Sequence, residues 1–294
     1  MAISFCAETK NDVLHIVEKY KCCRLSLLYG ILYGSNEFSR DKIRLIIENA
    51  EMRKVFEKLL KQNLGREYSA ADGKYLIDDR EMLDCIFSAL QIGENDPKEI
   101  NLGVFKCQFC RWAFVRGVFL SCGTVTTPKA EYHLEMLFKD AERAAQIADL
   151  LTESGCPPKI TVRDSSCGVY YKESEKIEDF LFSIGAKKAS FDFMNEKILK
   201  GVANDINRTN NFLAANMMKS ISAGQKQLNA IYKIINKNAL SMLPDELRET
   251  FDLRAANPDM PLSALASMHN PPLTKSGVNH RLDRIVKFAD KLDG

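Results

Sequence analysis

The feature that most constrains this chain is a repeat. Cys23-Arg24-Leu25-Ser26-Leu27-Leu28-Tyr29-Gly30-Ile31-Leu32 and Cys110-Arg111-Trp112-Ala113-Phe114-Val115-Arg116-Gly117-Val118-Phe119 carry Cys, Arg and Gly at identical offsets, 87 residues apart. The residues between are mostly apolar in both copies. A repeated unit of this kind cannot bury its apolar face alone, so the copies are expected to pack on each other. The sequence after each copy also matches in kind. Lys42–Ile47 and Glu131–Met136 alternate like strands, and each leads into helical periodicity, Met52–Leu64 and Ala141–Leu151. Strand-like Tyr75–Ile77, and then Lys159–Val162 with Gly168–Tyr171, follow these. Met82–Leu90 and Ile177–Ile184 close the halves as apolar helices. The expectation is an α+β fold: two αββαββα lobes, about 20–95 and 105–188, forming one pseudo-symmetric domain over 1–190.

An apolar helix with a glycine, once per lobe and followed by β-hairpins, resembles the LAGLIDADG homing-endonuclease fold. There the two motif helices pack closely. Gly30 and Gly117, lacking a Cβ, would let the backbones approach. The nucleases carry an acidic residue five positions after that glycine, where hard oxygen ligands hold a divalent metal that activates water. The matching residues here are Ser35 and Cys122, and neither is a carboxylate. Glu37 lies two residues further on, but its counterpart in the second copy is Thr124. The expectation is a degenerate site with no catalytic residues, no metal and no cofactor.

A second module begins near Leu243. Leu243-Pro244-Asp245-Glu246-Leu247 reads as a helix start, because proline suits the first turn and acids suit the positive end of the helix dipole. That helix should stop near Asn257-Pro258. A short helix over Leu262–Met268 and the forced turn Asn270-Pro271-Pro272 follow. Thr274 is a good N-cap for a third helix, whose stripe Val278, Leu282, Ile285 and Ala289 faces a core. Ser276, His280, Asp283, Arg284 and Lys287 fall opposite, with Lys275 and Asn279 on the flank. Three helices with a polar, basic third describe a helix-turn-helix over 240–294. The candidate DNA-binding residues are Lys275, Ser276, Gly277, Asn279, His280, Arg281, Arg284 and Lys287. Ser276, Asn279 and His280 are placed to reach base edges. The basic residues suit phosphates, and Gly277 permits close approach.

Between the modules, 195–238 reads as a helical linker. Ile198, Val202, Ile206, Leu213, Met217, Ile221, Leu228, Ile231 and Ile235 recur at helical spacing, with a break expected at Ala223-Gly224. Its apolar face is expected to pack on both neighbours, while Arg208 and Lys219 are candidates for further phosphate contacts.

Leu243-Pro244-Asp245-Glu246-Leu247-Arg248, together with Pro272-Leu273-Thr274-Lys275-Ser276-Gly277-Val278-Asn279-His280-Arg281-Leu282, resembles the C-terminal domain of the WhiA family. Asn207-Arg208-Thr209-Asn210-Asn211, with Asn216 and Lys219, is similar to the family as well. WhiA proteins join a degenerate LAGLIDADG domain to a helix-turn-helix like the promoter-reading domain of sigma factors, and the resemblance covers nearly the whole chain. It implies a bacterial transcription regulator that binds double-stranded promoter DNA. It further implies roles in sporulation, cell division or chromosome segregation.

The bulk properties fit this organisation. A length of 294 residues allows two or three domains at roughly 100–200 residues each. No stretch reaches the roughly 18 apolar residues of a membrane helix. Met1–Lys21 mixes apolar and charged residues unlike a signal peptide, so a cytoplasmic, nucleoid-associated protein is expected. Nine cysteines, an odd count, argue against a secreted disulfide framework. The pair Cys107-x-x-Cys110 supplies only two of the four ligands a structural zinc site needs, so no metal is expected there. Residues 195–294 carry 14 Lys and Arg against 10 Asp and Glu, whereas the rest carries 27 against 29. The basic excess thus points to the C-terminal third for an anionic partner. Two other readings stand beside DNA-binding regulation. One is a residual metal-dependent endonuclease. The other makes the first domain a docking module for RNA polymerase or a second regulator.

Overall fold

The structure is a computed structural model that describes residues 3–70, 72–93 and 97–293. The chain divides into two compact units, Met1–Gly201 and Val202–Gly294. In the first unit, α1 (Phe5–Leu14) precedes the repeat and is capped by Ser4, which accepts from Ala7 N. The first lobe is α2 (Lys21–Tyr33), β1 (Glu37–Phe38), β2 (Ile43–Ile46), α3 (Ala50–Leu64), β3 (Lys74–Ile77) and α4 (Arg80–Ala89). The second is α5 (Cys110–Cys122), β4 (Gly123–Val125), β5 (Leu134–Phe138), α6 (Ala141–Glu153), β6 (Lys159–Arg163), β7 (Ser166–Tyr171) and α7 (Ser174–Ser183). Three outer helices start where short polar side chains take up free backbone donors. Asn49 caps α3, Asp79 caps α4 and Asp140 caps α6.

The repeat explains the centre of this unit. Helices α2 and α5 run parallel, with Cys23 beside Cys110 near their starts and Gly30 against Gly117 midway. A Cβ on Gly30 would run into the Phe114 carbonyl oxygen, and one on Gly117 would lie 2.9 Å from Gly30 Cα. Only two glycines allow backbones this close. The seam is sealed by Leu28, Tyr29, Ile31, Leu32 and Phe114, none more than 1% exposed. The two antiparallel sheets, ordered β1-β2-β3 and β4-β5-β7-β6, turn their apolar sides to the same core. Leu45 pairs with Tyr75 in the first, and Met136 with Val169 in the second.

The second lobe has the expected αββαββα order. The first does not, since among the described residues one strand is missing before β3. Gly65 and Gly73, at φ 67° and 73°, bound a stretch without apolar alternation, and the Tyr68 hydroxyl donates to the Leu76 carbonyl on β3. A side chain thus meets backbone that a neighbouring strand would otherwise bond. In the second lobe β5 begins at Leu134 rather than Glu131. Thr126 N still donates to the His133 carbonyl at 2.9 Å, but beyond that bond the Thr126 hydroxyl takes over, donating to the Glu131 carbonyl at 2.6 Å.

At the C-terminal ends of α2 and α5, Ser35 and Cys122 line one shallow cleft with Gly34, Ser121 and Lys139. Ser35 is 3% exposed, and its hydroxyl donates to the Glu37 carbonyl at 2.9 Å. The equally buried Arg143 donates to the Tyr33 and Ser35 carbonyls, at 2.9 Å each. It therefore occupies free acceptors at the end of α2. Desolvation pushes the Cys122 thiol up to about 12, against the opposing pull of Lys10 and Arg143. A protonated thiol and resident cations stand where a nuclease would hold carboxylates and metal.

The expectation that Cys107-x-x-Cys110 lacks further ligands is corrected. The parallel seam brings Cys22 and Cys23 to it, and all four sulfurs lie within 4.8 Å of one another. Sequence spacing concealed this because the second pair is adjacent, not a CxxC, and lies more than 80 residues upstream.

Helix α8 (Lys187–Asn236) runs for 50 residues. Ala189 and Phe193 join the core of the first unit, while Ala230, Ile231 and Ile234 join that of the second. Two expectations fail on it. No break occurs at Ala223-Gly224, where one glycine costs a helix only about 1 kcal/mol. Nor does the apolar face pack along its length: Ile198, Val202, Ile206, Leu213, Met217 and Ile221 are each more than half exposed. Helical spacing alone does not say what covers a face.

Candidate nucleic-acid interface

The second unit closes on α9 (Asp245–Ala256), α10 (Leu262–Met268) and α11 (Lys275–Asp290). Helix α9 starts after Pro244 with Asp245 and Glu246 in its first turn, and buries Leu247 and Phe251. Leu265 and Ala266 carry α10 into the core, while Leu262 is half-buried. Two bonds hold the turn into α11: Leu273 N donates to the Ala266 carbonyl at 2.9 Å, and Asn270 N to Glu249 Oε1 at 2.8 Å. Buried His269 braces α9 against α10. Its Nδ1 lies 2.8 Å from the Leu265 carbonyl and must donate there, since a carbonyl only accepts. That leaves Nε2 to accept from the Thr250 hydroxyl at 2.9 Å.

Helix α11 is capped by Thr274, whose Oγ1 accepts from Gly277 N at 3.0 Å. Val278, Leu282, Ile285 and Ala289 are each 0% exposed. Their burial fixes the rotation of the helix. Lys275, Ser276, Asn279, His280 and Lys287 are therefore exposed on its other sides, while Gly277, Arg281 and Arg284 are half-buried. The eight candidate residues share one helix, with the N-terminal turn free of bulky apolar groups.

Two pairings escaped the sequence reading. The Arg284 guanidinium donates to Glu246 on α9, holding that carboxyl below its usual range, with Arg281 and His280 adding smaller effects. The helix-start acid is thus also a partner for a basic residue of α11. The proximity was not visible because 38 residues separate them. Asn279 Nδ2 lies 3.4 Å from Asp283 Oδ2, at i,i+4. That contact was available from spacing alone. Asp283 and Val286 share a cleft with Met218, Lys219 and Lys226 of α8, which puts Lys219 beside α11. Arg208 is exposed on α8, well before that cleft.

Two family models match this architecture: the WhiA LAGLIDADG-like domain over residues 111–203 and the WhiA C-terminal HTH domain over 206–289. A "Probable cell division protein WhiA" from Desulforamulus reducens is 34% identical over 99% of this chain and 96% of its own length. The chain belongs to the WhiA family. A second WhiA relative, from Heliobacterium modesticaldum, is 32% identical over 98% of this chain and 96% of its own. The full-length DUF199/WhiA structure from Thermatoga maritima superposes with a TM-score of 0.58, covering 98% of this chain and 99% of that one. At 23% identity that likeness speaks to the WhiA fold alone. The LAGLIDADG-like model begins at Arg111, so it covers the more regular second lobe and not the first.

Proposed function

We propose that this WhiA protein is a bacterial transcription regulator that binds particular double-stranded promoter sites through α11, without cutting them. The observation that carries the reading is the phasing of α11. Four fully buried apolar residues turn Ser276, Asn279, His280 and Lys287 outward together. In a helix-turn-helix, such a face enters the major groove with its N-terminal residues on base edges. Ser276, Asn279 and His280 read bases, Gly277 allows close approach, and Lys275, Arg281, Arg284 and Lys287 meet phosphates. The regulated processes are cell division, named in the relatives, and by family resemblance sporulation or chromosome segregation. Action at the nucleoid in the cytoplasm follows from that reading. The first unit serves as a docking module for RNA polymerase or a second regulator.

The endonuclease alternative is opposed by Ser35, Cys122 and the Arg143 guanidinium at the end of α2. A divalent ion there would meet a resident positive charge and no carboxylate pair. Genome-wide mapping of DNA bound by the full chain, compared with His280→Ala and Asn279→Ala, tests the proposal. The wild type is expected at discrete promoters, with both variants losing that pattern. Diffuse or unchanged occupancy in all three would overturn the assignment to α11. Site-specific nicking of bound fragments with Mg²⁺ or Mn²⁺ would overturn the non-cutting role.

A further inference from the structure

We propose that Cys22, Cys23, Cys107 and Cys110 form a structural tetrathiolate zinc site that joins the two lobes at the N-terminal ends of α2 and α5. The sulfurs have the right separations. Zn–S bonds of about 2.3 Å in a tetrahedron put neighbouring sulfurs about 3.8 Å apart. The measured separations are 3.7 Å for Cys22–Cys107, 3.4 Å for Cys23–Cys107, 4.0 Å for Cys23–Cys110 and 3.5 Å for Cys107–Cys110. A disulfide needs about 2.05 Å. Four mutually adjacent sulfurs surround one centre, whereas separate disulfides require only that each pair be close.

The surroundings favour negative charge. Neither α2 nor α5 has a side-chain cap, since Tyr20 and Phe109 occupy the cap positions without such a bond. The exposed donors and dipole of each helix start amount to roughly half a positive charge. Two parallel helices bring those ends together, which is unfavourable unless anions lie between them. Four thiolates and one Zn²⁺ carry a net charge of two minus and meet that need. Cys23 and Cys110 are buried, while Cys22 and Cys107 are half-buried and leave the ion a way in.

Soft sulfur ligands in tetrahedral array select zinc over magnesium, calcium or manganese, and zinc binds more tightly than ferrous iron. An iron–sulfur cluster would need a wider cage for its several irons and sulfides. As the ion enters, four S–H bonds break and four protons pass to solvent, with no change of oxidation state. The site then ties the starts of the two motif helices together, beside the stacked rings of Tyr20 and Phe109.

The test measures metal in the full-length chain, produced with zinc present and purified without chelator. Elemental analysis should find one zinc per chain in the wild type and in Cys85→Ser, which alters a cysteine outside the cluster. Cys107→Ser should lose it while keeping its circular dichroism spectrum. Replacing zinc by Co²⁺ should give the visible bands of a tetrahedral tetrathiolate in the wild type and in Cys85→Ser, and not in Cys107→Ser. The wild-type bands report the site whether or not the variant folds. A wild type without zinc and without those cobalt bands would overturn the site, as would full retention of zinc by Cys107→Ser. Non-reducing mass analysis showing the four cysteines paired as disulfides in the freshly purified chain would overturn it too.

Discussion

At the scale of single residues, much depends on atoms that are missing. Gly30 works because it has no Cβ, and Gly30→Ala would force α2 away from the Phe114 carbonyl. Overpacking of this kind costs roughly 1–3 kcal/mol, so urea unfolding of the variant should show a lower midpoint with an unchanged slope. Leu282 tests the opposite case. It is fully buried under α11, and Leu282→Ala should cost about 2–5 kcal/mol. Because it touches no solvent, any loss of DNA affinity at temperatures where the variant remains folded would reflect a loosened helix rather than a lost contact. The residue types at both positions were legible in the sequence. Gly30 and Gly117 announced themselves by their offsets, and the spacing of four, three and four singled out Val278, Leu282, Ile285 and Ala289. Cys22 was not legible in this way. It has no counterpart in the second copy, and only the folded seam sets it beside Cys107.

At the scale of elements, helix type and order were readable wherever periodicity and caps agreed. Helices α9, α10 and α11 fall where Pro244, Asn257-Pro258 and Thr274 punctuate the chain. Strands were less legible, because a side chain can satisfy backbone in place of a ladder, as Tyr68 and Thr126 do. The outer part of α8 shows the same limit, since its apolar period describes a face without naming its cover. For the interface, the informative relation lies between α9 and α11. In the proposed complex Glu246 would compete with a phosphate for Arg284, whose half-buried guanidinium it holds. Glu246→Gln removes that competitor and one negative charge from the side proposed to face DNA. Fluorescence anisotropy should report modestly tighter binding for all duplexes. Unchanged or weaker binding would show that Glu246 positions Arg284 instead of restraining it.

At the scale of the whole molecule, each unit closes its own hydrophobic core, and α8 contributes side chains to both. Calorimetry should therefore resolve two transitions. Leu282→Ala should lower one and Gly30→Ala the other, each leaving its companion nearly in place. A single transition moved equally by both variants would mean that α8 couples the cores. The charge distribution belongs at this scale as well. With the basic excess confined to 195–294, affinity for DNA should fall steeply with added salt, and Lys287→Ala should flatten that slope by about one unit. Titration of a promoter duplex at several salt concentrations reads both quantities.

The glycine seam also bears on how such a chain changes over generations. Elsewhere the two copies tolerate difference: one has four strands while the other shows three among the described residues. At Gly30 and Gly117 they have no such freedom, because each backbone is the other's wall. A mutation at either site is felt by both halves at once, and no second change on the same helix can undo it. The repeat therefore carries a lock along this line. Its outer surfaces can be rewritten for new partners while the line along which the copies meet cannot.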